Sequence, residues 1–178
     1  YIVLMVEFYK DWYDKLISRS NEKGLLVEKL SHLMAGKSHN SCLEIGLGTS
    51  AYFSEYLADS FKTYDIIEVQ PYTGVLKPNV TYIQDDFEKH QFDSTYDVVL
   101  ASHVVYYFSD LQKSVSKVLS MLNPNGRAYF VVNGKESDYG PVKNAFARFI
   151  STPYTFTYDT IKGTLPKDAV REYTTQAS

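Results

Sequence analysis

The sequence predicts an α/β fold, a three-layer sandwich built around a mostly parallel, doubly wound sheet. Short runs of aliphatic and β-branched residues alternate with stretches whose apolar residues recur at helical spacing, which is typical of parallel sheets with right-handed crossovers. Polar residues directly follow several of the apolar runs, as ligand-binding residues do at the carboxyl ends of open parallel sheets. The five predicted strands lie near residues 41–46, 64–69, 80–84, 96–101 and 127–133.

A glycine-rich turn follows the first predicted strand, in the stretch SCLEIGLGTSAY at residues 41–52. Gly46 and Gly48 allow a sharp turn and a close approach of a ligand to the backbone. Phe53 and Leu57 then share one face of a helix, because they are four residues apart. A strand, a Gly-x-Gly turn and a helix N-terminus together predict a nucleotide-type site.

Two classes of ligand use such a turn, and the residues around it bear on the choice. Gly46, Gly48 and Ala51 satisfy the G-x-G-x-x-G/A pattern of dinucleotide sites, and Glu68 follows Gly46 by 22 residues, near the spacing of a ribose-binding acid. Glu44 argues against a dinucleotide, because a carboxylate two residues before the first glycine would lie near the pyrophosphate. An acid at this position suits a cofactor that carries cationic groups and no phosphate.

The order of the motifs resembles the class I methyltransferase family, whose fold is Rossmann-like. LEIGLGTS is similar to its glycine motif, IIEVQP to the strand that ends in a ribose-binding acid, and YIQDDF to the strand end that binds adenine. FDSTYDVVLASHVVYYF is similar to the fourth strand with its exit towards the substrate, and LNPNGRAYFVV to the turn that opens the fifth strand. The resemblance covers residues 41–132 and implies that the cofactor is S-adenosylmethionine, which carries a sulfonium and an ammonium group.

The resemblance also implies roles for individual residues. The implied cofactor-binding positions are Glu44, Gly46, Gly48, Glu68, Val69, Asp85, Asp86, Phe87 and Ser102. In this interpretation Glu68 holds the ribose hydroxyls, and Asp86 binds the adenine amino group with Phe87 against the ring.

His103 is the candidate general base. It leaves the fourth strand where the family places substrate-facing residues, and imidazole titrates near neutrality. Candidates for shaping the acceptor pocket are Tyr9, Tyr13, Tyr106 and Tyr107. A purely structural role in the core stays an alternative for His103 and for these tyrosines.

The predicted function is methyl transfer from S-adenosylmethionine to a small-molecule acceptor by in-line displacement. The residues Ala101 to Val104 lack the N/D-P-P-Y/F motif of nucleic-acid and glutamine amino methylases, and they lack the cysteine nucleophile of a cytosine-C5 enzyme. N-, O- and C-methylation stay open. Two alternative functions also stay open, namely a NAD-type Rossmann oxidoreductase and a noncatalytic module that binds a cofactor or a partner.

Composition and charge narrow the classes of partner. Among 178 residues, 44% are hydrophobic and 22% charged, a balance typical of a globular domain. The net charge of −3 and the lack of a dense Lys/Arg block disfavour nucleic acid as a partner. The apolar run YIVLMV is too short for a signal peptide, so we expect a cytoplasmic protein that does not enter a membrane. The residues give no indication of the oligomeric state.

Cysteine and histidine usage predicts neither a disulfide nor a metal site. Cys42 is the single cysteine, and it lies within the first predicted strand. His32, His39 and His90 do not fall at metal-ligand spacing and have no partner cysteines.

We expect the chain to divide into three segments. Residues 1–38 would form N-terminal cap helices that cover the cofactor, and residues 39–150 the Rossmann-like core that binds S-adenosylmethionine. Residues 151–178 would form a C-terminal segment that is incomplete or lies on the substrate side. The family normally ends with an antiparallel strand pair at the sheet edge, and the weak pattern after residue 150 predicts that this pair is shortened or incomplete.

Overall fold

The computed structural model describes residues 19–48, 50–134 and 158–175, which form one parallel sheet with helices around it. In chain order the elements are α1 (Glu22–Met34), β1 (Ser41–Ile45), α2 (Tyr52–Leu57), β2 (Thr63–Glu68), β3 (Val80–Gln84), β4 (Tyr96–Ser102), α3 (Leu111–Ser120), β5 (Leu122–Val131) and α4 (Tyr158–Thr164). Short 3-10 turns cover Ala58–Ser60, Val105–Tyr107 and Lys167–Ala169. The strand order is β3-β2-β1-β4-β5, and every neighbouring pair is parallel. The predicted α/β fold with a parallel sheet is confirmed.

The core lies on both faces of the sheet, because successive side chains of a strand point to opposite faces. In β1, Leu43 and Ile45 belong to the apolar cluster that includes α3 and α4. Cys42 belongs to the second cluster, which includes α1 and α2. Helices on both faces of the sheet give the three predicted layers. They also cover the apolar side chains of the strands, as is usual for a parallel sheet.

The connections around β3 differ from the predicted alternation of strand and helix. Residues 69–79 join β2 to β3, and residues 85–95 join β3 to β4, and neither connection contains a helix. Pro71, Gly74 and Pro78 account for the first connection, because proline and glycine both disfavour a helix interior. Because neither connection contributes a helix, β3 is only half-buried along most of its length.

The predicted turn at Pro124-Asn125-Gly126 lies inside β5 as an irregularity of its pairing. Tyr96 pairs with Leu122 and Val98 pairs with Arg127, so two steps along β4 correspond to five along β5. Asn125 has a φ of +68°, a left-handed conformation that asparagine tolerates better than most residues. These residues therefore lie within β5 and not in a separate turn before it, and the ladder resumes at Arg127.

The two ends of the chain are described only in part. Residues 158–175 form α4, a 3-10 turn and extended chain, without a strand. Residues 1–18 and 135–157 lie outside the described residues, as do Tyr9 and Tyr13, so the first cap helix and the shortened strand pair stay predictions. None of the helices in the described ranges is long and apolar enough to cross a lipid bilayer.

Lys117 on α3 holds the connection between β3 and β4. Its Nζ donates to the carbonyl oxygens of Phe87 and His90, both at 2.6 Å, and lies 3.4 Å from that of Glu88. The same ammonium lies 4.9 Å from the ring centre of Phe87 and 5.4 Å from that of Phe92. Charge-assisted hydrogen bonds and cation–π contacts thus tie α3 to the segment that carries the predicted adenine-binding acids.

We expect Lys117→Met to lower the free energy of unfolding by about 1–3 kcal/mol, because the carbonyl groups of Phe87 and His90 would lose a charged donor. Urea denaturation followed by circular dichroism measures the change. Lys113→Met is the matched control, since Lys113 lies on the same helix and its Nζ pairs with Asp110 at the surface. An equal loss of stability in the two variants would contradict the role of Lys117.

Candidate active site

The glycine turn connects β1 to α2 at the carboxyl end of the sheet. Gly46 has a φ of +82° and Gly48 a φ of +67°, conformations that favour glycine. The N–H of Gly46 donates to the carbonyl of Ile67 at 2.9 Å. A Cβ added to Gly46 would lie 2.8 Å from Cγ2 of Val104, whereas a Cβ added to Gly48 would meet no described heavy atom within 4 Å. Gly46 is therefore fixed by packing, and Gly48 leaves space beside the backbone.

Glu68, the last residue of β2, is bound to this turn. Its Oε2 accepts hydrogen bonds from the N–H groups of Leu47 at 3.0 Å and Gly48 at 3.3 Å, and its Oε1 accepts one from the N–H of Gln70 at 3.0 Å. The carboxylate thus holds the conformation of the turn in this structure. If Glu68 also contacts the ribose hydroxyls as predicted, its carboxylate has to accept those hydrogen bonds in addition to the three from the backbone.

Glu44 lies two residues before the turn and is 1% exposed. Its Oε2 accepts a hydrogen bond from the hydroxyl of Tyr64 at 2.8 Å, and its Oε1 has no partner among the described residues. Burial raises the pKa of Glu44 to about 8, with a contribution from Glu68, while the Tyr64 hydrogen bond and the Lys23 ammonium oppose the shift. A buried polar atom without a hydrogen-bond partner costs free energy, so this position favours a ligand that supplies a polar partner.

Asp85 and Asp86 follow β3 at the same edge of the sheet. Oδ2 of Asp85 lies 2.8 Å from Nδ1 of His90, and Asp86 accepts from the N–H of Glu88 at 2.9 Å and pairs with Lys89 at 2.8 Å. The hydrogen bond with His90 lowers the pKa of Asp85, and that with Lys89 lowers the pKa of Asp86. Both side chains are therefore ionised acceptors. The contact of Asp86 with the adenine amino group stays a prediction.

Phe87 lies in the core, and the predicted contact between its ring and adenine stays a prediction. The residue is 5% exposed, and its ring stacks on that of Phe108 with 5.6 Å between centroids. The side chain turns under α3, where Phe108 and Lys117 cover it. Val69 is 55% exposed beside Glu68 and offers an apolar surface at the same edge of the sheet.

His103 directly follows β4 and has a φ of +52°, which is uncommon for a residue other than glycine. Its backbone N–H donates to the carbonyl of Val131 at 3.0 Å, and its Nε2 lies 3.0 Å from Oε1 of Glu22 on α1. The hydrogen bond with His103 is the main cause that lowers the pKa of Glu22. A strained residue at the carboxyl end of a strand is typical of functional sites.

The two tyrosines after His103 differ in exposure. Tyr106 is 8% exposed, and its hydroxyl accepts a hydrogen bond from the N–H of Asn133 at 2.5 Å. Its ring centroid lies 6.4 Å from that of His103, with 26° between the ring planes, and burial raises the pKa of Tyr106 to about 12. Tyr107 is 63% exposed, and Ser102, the last residue of β4, is half-buried.

Two charged residues in the first turn of α1 contact this region, and no motif or spacing in the sequence predicts these contacts. Glu22 meets His103 across 81 residues of chain. Lys23 donates from Nζ to Oγ of Ser50 at 2.9 Å, across 27 residues, and lies 5.6 Å from the ring centre of Tyr52. Within the described part of the chain, no group of three or more His, Cys, Asp and Glu side chains is arranged to hold a metal ion.

We expect Gly46→Ala to destabilise the fold more than Gly48→Ala does. Both alanines would have a left-handed backbone, at a cost of about 1–2 kcal/mol. Only the alanine at position 46 would also overlap Val104, which adds about 1–3 kcal/mol. Thermal and urea unfolding of both variants measure the difference, with Gly163→Ala as a control because a Cβ there meets no described atom within 4 Å. Equal effects at positions 46 and 48 would contradict the packing of the turn on Val104.

Glu44 predicts a specific pH dependence of stability. Its pKa in the folded protein is about 8, above the ordinary value of 4.5, so its contribution is complete below pH 4.5 and is lost as the pH rises towards 8. The slope from this one group reaches at most about 1.4 kcal/mol per pH unit. We expect Glu44→Gln to flatten the dependence of unfolding free energy on pH between these values. Urea denaturation at several pH values tests this, and parallel curves for both proteins would contradict it.

The sequence matches a known protein family over most of its length. The family described as "Methyltransferase domain" matches residues 18–161, which is most of the chain. Malonyl-[acyl-carrier protein] O-methyltransferase of Bacillus anthracis is 26% identical over 120 residues, covering 63% of this chain and 44% of that protein. The chain therefore spans less than half the length of this curated relative.

Solved structures share the fold at lower identity. The N-methyltransferase NodS of Bradyrhizobium japonicum has a TM-score of 0.58 and 18% identity, over 81% of this chain and 79% of NodS. DesVI of Streptomyces venezuelae has a TM-score of 0.55 and 17% identity, over 72% of this chain and 59% of DesVI. From the family match and this fold, we conclude that the chain belongs to the methyltransferase domain family and has the class I methyltransferase architecture.

Proposed function

We propose that the protein binds S-adenosylmethionine and transfers its methyl group to a small-molecule acceptor. Family membership supports the reaction class. A crystal structure of NodS contains S-adenosyl-L-homocysteine, and one of the glycopeptide N-methyltransferase MtfA contains S-adenosyl-L-methionine. In this chain the glycine turn and four polar strand ends lie at the carboxyl edge of the sheet, where folds of this class bind ligands.

The buried carboxyl group of Glu44 is the observation that carries the choice of cofactor. Its Oε1 has no described partner, and its pKa of about 8 leaves it largely protonated at neutral pH. An ammonium group supplies both a donor and a positive charge to this acid, whereas the pyrophosphate of a dinucleotide brings more negative charge. S-adenosylmethionine therefore fits these residues better than NAD does.

Other parts of the cofactor have matching groups on neighbouring strand ends. The open space at Gly48 admits a ligand close to the backbone. Glu68 can share its carboxylate between the N–H groups of the turn and the ribose hydroxyls, because each carboxylate oxygen accepts more than one hydrogen bond. Exposed Val69 and the ionised Asp85 and Asp86 offer apolar and acceptor groups for the adenine.

When bound, the cofactor supplies a methyl group that its sulfonium has already activated. The protein has to hold the acceptor in line with that methyl group and to take a proton from an acceptor that arrives protonated. His103 is the proposed general base, because it lies at the carboxyl end of β4 beside the packed glycine turn. Tyr106 lies beside it and limits the space for the acceptor.

A small molecule is the proposed acceptor, and nucleic acid is disfavoured. The net charge is −3, and Glu22, Glu44, Glu68 and Lys23 are charged residues near His103 and the turn. Polyanions bind to surfaces of the opposite charge balance. The relatives include both O- and N-methyltransferases by name.

Isothermal titration calorimetry with S-adenosylhomocysteine and NADH tests the cofactor. We expect S-adenosylhomocysteine to bind with micromolar Kd and NADH at least about tenfold more weakly, a difference of about 1.4 kcal/mol. Glu44→Gln should weaken S-adenosylhomocysteine by about tenfold or more, because a buried charge-assisted hydrogen bond is lost. Glu55→Gln is the control, since Glu55 is exposed on α2. NADH binding as tightly as S-adenosylhomocysteine would favour an oxidoreductase instead, and cofactor binding without methyl transfer to any acceptor would favour a noncatalytic module.

A further inference from the structure

Glu22 and His103 form a pair that joins the start of α1 to the end of β4. The distance from Nε2 to Oε1 is 3.0 Å, and both side chains are mostly buried, with 22% of His103 and 28% of Glu22 exposed. The left-handed backbone of His103 and the hydrogen bond from its N–H to the carbonyl of Val131 fix the backbone position from which the side chain extends. The contact with Glu22 then fixes its orientation, since a ring held at both ends cannot rotate freely.

The pair also fixes which ring nitrogen carries the proton. Glu22 is a carboxylate and can only accept, so the Nε2–H of His103 donates to it. In the neutral imidazole the other nitrogen, Nδ1, is then the one with an available lone pair.

The charges around the pair favour a cationic acceptor. Glu22 lies at the site as an anion, and Lys23, the neighbouring cation, is bonded to Ser50 and lies over Tyr52. An acceptor that is itself a carboxylate would be repelled by Glu22 and would need no base, because its oxygen is already unprotonated. An alkylammonium is attracted by Glu22 and must lose a proton before its nitrogen can attack.

We propose that Glu22 is a positioning residue for His103 and that the acceptor of this site is a primary or secondary amine, an inference that rests on the proposed methyl transfer. The acceptor ammonium gives one proton to Nδ1 of His103, and its nitrogen keeps the electron pair. That pair forms the new N–CH₃ bond as the C–S bond of the donor breaks and leaves its electrons on sulfur. The products are the methylated ammonium, the thioether and the proton held by His103, which passes to solvent.

The positioning role has a test that needs no turnover. The protein labelled with ¹⁵N-histidine contains four histidines, and loss of one set of signals in His103→Asn assigns His103. At pH 8 we expect a ring N–H proton on Nε2 that exchanges slowly with water, because Glu22 holds it. Glu22→Ala should abolish this signal, and Glu28→Gln, an exposed change on the same helix, should retain it. Absence of the signal in the wild type, or its persistence in Glu22→Ala, would overturn the positioning role.

The acceptor class is tested on the same signals with S-adenosylhomocysteine bound. Ethylamine, benzylamine and cadaverine are the ammonium probes, and acetate, phenylacetate and glutarate are the matched acids. We expect at least one amine to shift the Nδ1 resonance of His103 at concentrations where its matched acid does not. A shift by the acids, or by none of the amines, would overturn the amine class. Calorimetric binding of S-adenosylhomocysteine would stand in either case, so failure here is distinct from failure of the proposed cofactor.

Kinetics with the amine that shifts His103 complete the test. We expect Glu22→Gln to lower kcat by about tenfold or more while the KM for S-adenosylmethionine stays within about twofold, because the variant keeps the cofactor contacts. Glu22→Asp should recover part of the rate, and Glu28→Gln should match the wild type. Unchanged kcat in Glu22→Gln would overturn the role of Glu22, and an equal loss in Glu28→Gln would show that the helix and not the pair is responsible.

Discussion

The parallel pairing of β1 with both β2 and β4 is the constraint on which the site depends. Residues Cys42 to Ile45 are paired on both sides, with Ile45 opposite Ile67 and Ala101. Because parallel strands end at the same edge, this pairing brings the glycine turn, Glu68 and His103 together although they are far apart in the chain. The strand order reverses between β1 and β4, so the crevice beyond them lies between connections that leave in opposite directions. This ladder places Glu44, Glu68 and His103 at one edge of the sheet.

The same central position gives Glu44 its properties. A strand buried on both faces leaves the carboxyl group without water, and Tyr64 on the neighbouring strand supplies a donor to only one of its oxygens. Burying the other oxygen lowers the stability of the folded protein when Glu44 is ionised. The same burial raises the pKa of Glu44. A cationic ligand would remove part of the cost, which links the stability of β1 to occupation of the site.

Helix α1 contributes charged side chains to the site as well as an apolar face to the core. Leu26, Leu30 and Met34 pack it against the sheet, and the carbonyl of Leu33 at its end accepts from Arg127 on β5 at 3.2 Å. This docking holds the first turn of the helix over the carboxyl edge, so that Glu22 reaches His103. The helix is therefore both a cover for the sheet and the element that orients the proposed base.

The sequence by itself determined the layered fold, the five strands and the glycine turn, because strand burial and turn formation depend on residues close together in the chain. Local spacing also indicated Glu44 and Glu68 as strand-end acids and His103 as a residue leaving β4. Only the tertiary structure decided that Phe87 packs inward, that Glu68 binds the turn, and that Glu22 meets His103, since each of these contacts joins distant segments. Pairing across 81 residues leaves no periodicity to detect, because it depends on how α1 docks on the sheet and not on its own pattern.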